Sequence, residues 1–243
     1  MEFPITLVQW MLATGVILLC ALIQGSIGFG LGLLGAPLLF LIDPSLVPAP
    51  VIVIGMLLPM MILARDWRSV VVRDVGWAMP GALLGTASGA AILAVISADG
   101  LSLLFGTLVL LAVLMSVLGM MVPTLRPRNI VIAGTLSGFM GATTAIGGPP
   151  LAVAFQTMPG ERLRGTLSAI FVPGGLMALV GLFVVGRFGV PEFLMGLSLI
   201  PAIVAGFWAS GYTTGLLDGP WLRPLILVFS AAAGFFAILD ALL

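Results

Sequence analysis

Apolar residues run through this chain in long stretches, and charged residues serve mainly to separate them. Eight stretches result: Ile5–Ile42, Val47–Ala64, Val75–Ser97, Leu101–Val122, Ile130–Met158, Thr166–Gly186, Val190–Leu217 and Trp221–Leu243. A helix crosses the hydrocarbon core of a bilayer with about 20 apolar residues, and six of the stretches have about that length. The first and fifth, at about 38 and 29 residues, are too long for one crossing and carry glycine clusters in their middles. A helix interrupted by glycine in hydrocarbon needs its freed backbone groups covered by protein or water. Each long stretch is therefore expected to be a broken element: a helix, a Gly-rich break and a shorter helix.

The two long stretches resemble each other. A shift of 113 positions pairs Gly25 with Gly138, Gly28 with Gly141, Gly35 with Gly148, Pro37 with Pro150 and Leu38 with Leu151. A shift of 121 pairs Pro80 with Pro201 and Gly85 with Gly206. This points to one transmembrane domain over residues 1–243, with internal repeats at approximately 5–122 and 130–243. If each broken stretch returns to its starting side, as a re-entrant hairpin or a double crossing, then Arg65, Arg68, Arg73, Arg126, Arg128, Arg162, Arg164 and Arg223 share one face. Arg187 alone lies opposite. The positive-inside rule makes the Arg-rich face cytoplasmic. The halves then run in opposite senses, which is the inverted repeat common in secondary transporters. The expected fold is an all-α polytopic membrane protein of two such halves, each with one Gly-broken element and three transmembrane helices.

Composition narrows the function. The 243 residues are 61% hydrophobic and 7% charged, with mean hydropathy +1.30. A soluble domain carries about a quarter charged residues. Net charge is zero, so no nucleic-acid partner is expected. Met1–Trp10 lacks a basic segment, and the apolar run after it outlasts that of a signal peptide, so no cleavable leader is expected. Histidine is absent, and the familiar haem, zinc and Ser–His chemistries depend on imidazole. Neither catalysis, a cofactor nor a metal is expected. All nine acids fall at predicted ends or loops, whereas a proton relay or cation site would need a carboxylate in mid-span.

The breaks hold the candidate chemistry. The first runs from Gln24, Gly25 and Ser26 through Gly28, Gly30 and Gly32; the second includes Thr143, Thr144, Gly147, Gly148, Pro149 and Pro150. A helix N-terminus carries unpaired N–H groups and about half a positive charge, and glycine lets an anion approach them. Two such ends meeting in mid-membrane would hold an oxyanion without a buried cation. The plainer alternative is that these glycines only let helices pack. Arg164 opens the sixth stretch and is a candidate for attracting the anion, with anchoring at the cytoplasmic face as its other reading. Gly30, Gly32 and Gly35 match GxGxxG, but the apolar surroundings lack the strand, helix and acid of a dinucleotide site.

Elsewhere the small residues read as packing devices. Gly81-xxx-Gly85-xxx-Gly89, Gly134-xxx-Gly138 and Gly211-xxx-Gly215 form seams for helix contact, and such seams also permit a homodimer. Thr86, Ser88, Ser116 and Ser168 are expected to hydrogen-bond between helices. Trp10, Trp67, Trp77 and Trp221 read as interface anchors, and Trp208 as a packing or pocket residue.

With these segments, Pro80-Gly81-Ala-Leu-Leu-Gly85, and Gly147-Gly148-Pro149-Pro150 followed by Arg164-Gly-Thr-Leu-Ser168, the chain resembles the TauE/SafE sulfite exporter family over nearly its whole length. That family commonly has three consecutive glycines in its first segment; here Gly30, Gly32 and Gly35 are spaced out. The resemblance implies a multi-pass permease of the bacterial inner (cytoplasmic) membrane, carrying sulfite, sulfonates or related sulfur oxyanions. The expected partners are a small anionic substrate and the lipid bilayer. The substrate-binding residues expected are Gln24, Gly25, Ser26, Gly28, Gly30, Thr143, Thr144, Gly147, Gly148, Pro149 and Arg164. A passive anion channel and a non-transporting membrane subunit remain the alternatives.

Overall fold

The computed structural model describes residues 5–27, 31–118, 126–217 and 222–242; the side chains of residues 24–27, 31, 211–217 and 222–223 are outside the description. Among the described residues every regular element is helical. Helix α1 (Leu7–Ile27) is followed, beyond residues 28–30, by a π-helical turn at Leu31–Gly35 and by α2 (Ala36–Ile42). Helices α3 (Ala49–Gly55) and α4 (Leu57–Asp66) adjoin at Met56. Next come α5 (Val72–Val95), α6 (Ala98–Leu118), α7 (Pro127–Thr144), α8 (Gly148–Ala154), α9 (Gly160–Val184), α10 (Val190–Leu217) and α11 (Leu222–Leu242). Asp99, Glu161 and Glu192 stand in the first turns of α6, α9 and α10, where a helix favours negative charge.

Glycine governs how the helices meet. A Cβ at Gly81 would collide with the carbonyl of Val131, and one at Gly85 with that of Thr135. Gly134 and Gly138 lie equally close to the carbonyls of Ala78 and Ala82. The seams expected at these residues thus join α5 to α7 backbone against backbone, with the two helices running in the same direction. Gly211-xxx-Gly215 falls outside the described side chains. Helix α10 meets α1 in like manner: Gly206 sits on the carbonyl of Leu18, and the Trp10 indole N–H donates to Ser198 Oγ at 2.9 Å. Helices α6 and α11 cross at Gly106 and Gly234, each of which packs on the other's carbonyl.

Both long apolar stretches bring their ends back together. The Gln9 amide donates to Asp43 Oδ2 at 3.1 Å and to the carbonyl of Ile42 at 3.3 Å, so the start of α1 lies beside the end of α2. At the other stretch, Ile130 near the start of α7 shares one buried cluster with Leu151 and Ala154 of α8 and with Phe155 just after it. The turn between α4 and α5 is tied to the start of α9. Ser69 Oγ donates to Glu161 Oε1 at 2.8 Å, and the Val71 N–H donates to Thr166 Oγ1 at 3.1 Å. Arg187, between α9 and α10, donates to the carbonyl of Leu93 at 3.1 Å, at the far end of α5.

The outer surface is apolar. Leu84, Val95, Phe183 and Trp208 are all more than half exposed, a pattern that would be a large sticky patch in water and is ordinary against lipid tails. Trp208, with 75% of its surface exposed, faces outward, so it neither packs in the interior nor lines the cavity.

Candidate functional site

A cavity of about 290 Å³ opens among α3, α4, α5, α7, α8 and α9 and reaches the π-helical turn after α1. That is the small end of the range for small-molecule sites. The interruption between α7 and α8 forms part of its wall. Helix α7 stops at Thr144 because Ala145 adopts a left-handed conformation, φ 60°, with its N–H still donating to the carbonyl of Gly141. A residue with a Cβ rarely takes that conformation. Here the hydroxyl of Thr144 holds it by accepting from the N–H of Ile146 at 3.3 Å. Helix α8 then begins at Gly148, with Pro149 and Pro150 in its first turn.

Those prolines halve the donors of α8. The first four backbone positions of a helix have no internal carbonyl to bond, and here they are Gly147, Gly148, Pro149 and Pro150. Proline has no N–H, which leaves two donors, those of Gly147 and Gly148. Their surroundings differ. A Cβ on Gly148 would have no heavy atom within 4 Å, whereas one on Gly147 would meet the carbonyl oxygen of Ser137 at 2.8 Å. Gly148 therefore borders open space, and Gly147 is wedged against α7.

Among the described residues that line the cavity none is charged, and Thr86 and Ser137 supply the side-chain hydroxyls. Ser137 Oγ donates to the carbonyl of Gly147 at 2.6 Å, which commits its proton to holding the break. Thr86 Oγ1 lies 3.4 Å from the carbonyl of Gly138, long for a hydroxyl donor, so it is the hydroxyl that turns to a ligand at least cost. That bond runs from α5 to α7, the interhelical role expected of Thr86. Ser88 instead donates to the carbonyl of Gly85 in its own helix. The remaining walls are apolar, with Leu33, Ile52, Met56 and Phe171 prominent among them.

Of the residues singled out from the sequence, Gly147, Gly148 and Pro149 line this cavity. Thr143 and Thr144 do not: both are buried, and their hydroxyls donate back to the carbonyls of Phe139 and Met140 at 2.7 Å. Gln24, Gly25 and Ser26 belong to the last turn of α1, with side chains outside the description, and Gly28 and Gly30 lie outside the described residues. Their neighbour Gly32 does reach the site, since a Cβ there would stand 3.4 Å from the carbonyl oxygen of Ala145. The segment after α1 and the α7–α8 interruption thus meet. Arg164 is not a lining residue; its Nε lies 3.7 Å from Asp66 Oδ2, and Asp66 also binds Arg65 at 2.7 Å. Ser137, Thr86 and Gly174 line the cavity without having been picked out as site residues. Ser137 was legible in principle, being a hydroxyl one turn before Gly141 in the fifth apolar stretch.

Six helical segments among the described residues are long and apolar enough to cross a membrane: Ala49–Ser69, Val72–Val95, Ala98–Leu118, Gly160–Val184, Val190–Ser210 and Pro224–Leu242. With the lipid-like outer surface, they define a multi-pass helical membrane protein. Residues 13–237 match the family model for the sulfite exporter TauE/SafE, and the chain belongs to that family of membrane transporters. No curated protein and no solved structure matches the chain.

Proposed function

We propose that this protein carries small sulfur oxyanions, sulfite or organosulfonates, across the bacterial inner membrane by alternating access around the cavity at the α7–α8 interruption. The observation that carries the proposal is a cavity whose described lining residues carry no charge and include Gly147 and Gly148 at the start of α8. An anion in such a place loses hydration worth several kcal/mol. Two N–H donors, the Thr86 hydroxyl and water would offset that loss, while the absence of a fixed cation among the described lining residues keeps the anion free to leave. The apolar walls would take the organic part of a sulfonate.

The reading that the chain is two inverted halves built on broken elements draws support from reciprocal packing. A Cβ on Gly81 would meet Val131 O and Thr135 N, and one on Gly206 would meet Leu18 O and Leu22 N. Leu18 and Leu22 lie 113 positions before Val131 and Thr135, the spacing at which the two Gly-rich stretches align. The equivalence pairs Gly206 with Gly81, one turn away from the Gly85 pairing that sequence similarity favoured. The mutual contact of Gly106 and Gly234 fits a two-fold axis passing between α6 and α11. Alternating access would be the rocking of one half against the other around the cavity.

The test is flux of labelled sulfite and small sulfonates through the purified protein in liposomes. Flux that saturates and accelerates against the same anion on the far side supports transport. Ohmic current without saturation would point to a channel, and inertness toward every sulfur oxyanion would remove the proposal.

A further inference from the structure

Several glycines around the cavity have a packing reason to lack a side chain. Gly138 lies on the carbonyl of Ala82, Gly147 on that of Ser137, Gly32 near that of Ala145, and Gly175 has Met56 Cγ and Sδ at 3.0 Å from where its Cβ would be. Gly174 has no such reason. It stands in the interior of α9, directly after Pro173, and a Cβ built on it finds no heavy atom within 4 Å. Its φ lies outside the region that disfavours L side chains. Glycine is less favourable than alanine inside a helix, and neither backbone conformation nor close packing asks for it here. What its bareness does provide is room. Gly174 lines the cavity, and so do Phe171 and Ala178, its neighbours at the helical spacings of three and four.

We infer that Gly174 sets the upper size of the substrate's apolar part, forming the wall against which the organic body of a sulfonate rests while the oxyanion sits at Gly147 and Gly148. This rests on the transport reading above and adds to it a residue that decides which anions pass. Placing a methyl group at 174 removes space from the apolar side of the cavity and leaves the Gly147–Gly148 amides untouched. A bulky sulfonate then loses its place and sulfite keeps its own.

The experiment compares flux of benzenesulfonate and sulfite in liposomes for the wild type, Gly174→Ala, Gly174→Leu and Gly15→Ala. Gly15 is an exposed position of α1 where an added Cβ also meets nothing within 4 Å, so it controls for the gain in helix propensity. In Gly174→Ala the ratio of benzenesulfonate to sulfite flux is expected to fall by about tenfold, the discrimination that one methylene gives in an apolar pocket. Gly174→Leu lowers it further, and Gly15→Ala keeps the wild-type ratio. An unchanged ratio in Gly174→Ala overturns the inference. So does an equal fall for both anions, which would make Pro173-Gly174-Gly175 a hinge and not a wall. A wild type that carries sulfite but no benzenesulfonate also overturns it, since no apolar body is then admitted. A wild type that carries neither anion removes the transport reading instead, and the two failures are thereby told apart. If Gly174→Leu does not insert, the alanine variant decides alone.

Discussion

Arg164 Nε stands 3.7 Å from Asp66 Oδ2, joining the start of α9 to the end of α4. Close by, Ser69 bonds Glu161 and Val71 bonds Thr166. The chain therefore returns, after α5, α6, α7 and α8, to the end of the molecule from which α5 set out. Helix α5 leads away from that end, and by the start of α9 the chain has come back to it. The Arg clusters at 65–73 and 162–164 consequently share one face, and Arg187, bonded to the carbonyl of Leu93, marks the other.

Labelling from either side of the membrane checks this arrangement. Cysteines introduced one at a time for Arg68, Arg162 and Arg187, all exposed, should divide two to one. Arg68→Cys and Arg162→Cys react with a membrane-impermeant maleimide only from the cytoplasmic side, and Arg187→Cys only from outside. Cys20 is buried and adds little background. Reaction of positions 68 and 162 from opposite sides would break the topology.

Arg164 is expected to hold the fold together more than to hold substrate. Its side chain is half exposed, and such ion pairs contribute up to about 1 kcal/mol. Arg164→Ala should lower the unfolding free energy in detergent by about that amount and leave the KM for sulfite within about twofold. A KM raised about tenfold or more, with stability unchanged, would return Arg164 to the binding site.

Gly147 and Gly148 should separate structure from transport. Gly148→Val fills open space at the cavity, so insertion and thermal stability persist while flux drops about tenfold or more. Gly147→Ala pushes a methyl group onto the carbonyl of Ser137, and overpacking of this kind costs about 1–3 kcal/mol. Melting temperature and flux measured on both variants decide it. Normal flux in Gly148→Val would remove the site.

Gly85 belongs to packing alone. Gly85→Val sets a branched side chain against the backbone of Thr135, which should lower stability by about 1–3 kcal/mol or more and loosen α5 from α7. Denaturant unfolding in detergent reads the loss. Wild-type stability in that variant would mean that α5 and α7 do not meet at this glycine.

Much of this fold was readable because the bilayer writes its demands in simple terms. Stretch length, the glycines of the two long stretches and the Arg distribution reflect hydrocarbon thickness, backbone exposure and charge, and each acts locally on the chain. The place of Gly147, Gly148 and Pro149 at the break, where they line the cavity, was legible for that reason. Thr143 and Thr144 show where such reading stops. Both lie at the break, as their positions imply, yet a threonine hydroxyl near a helix end readily bonds the carbonyl one turn back, and theirs do. Arg164 was ambiguous because its partner Asp66 lies 98 residues away in sequence. Gly174 was hidden for another reason: from sequence, a glycine that makes space looks the same as one that allows contact.

The most direct test of the central claim is an amide titration. With ¹⁵N-glycine in nanodiscs, sulfite addition should shift the Gly147 and Gly148 amide resonances along a saturating curve whose midpoint matches half-maximal flux. Saturating flux with both resonances unmoved would mean that the anion passes elsewhere in the protein.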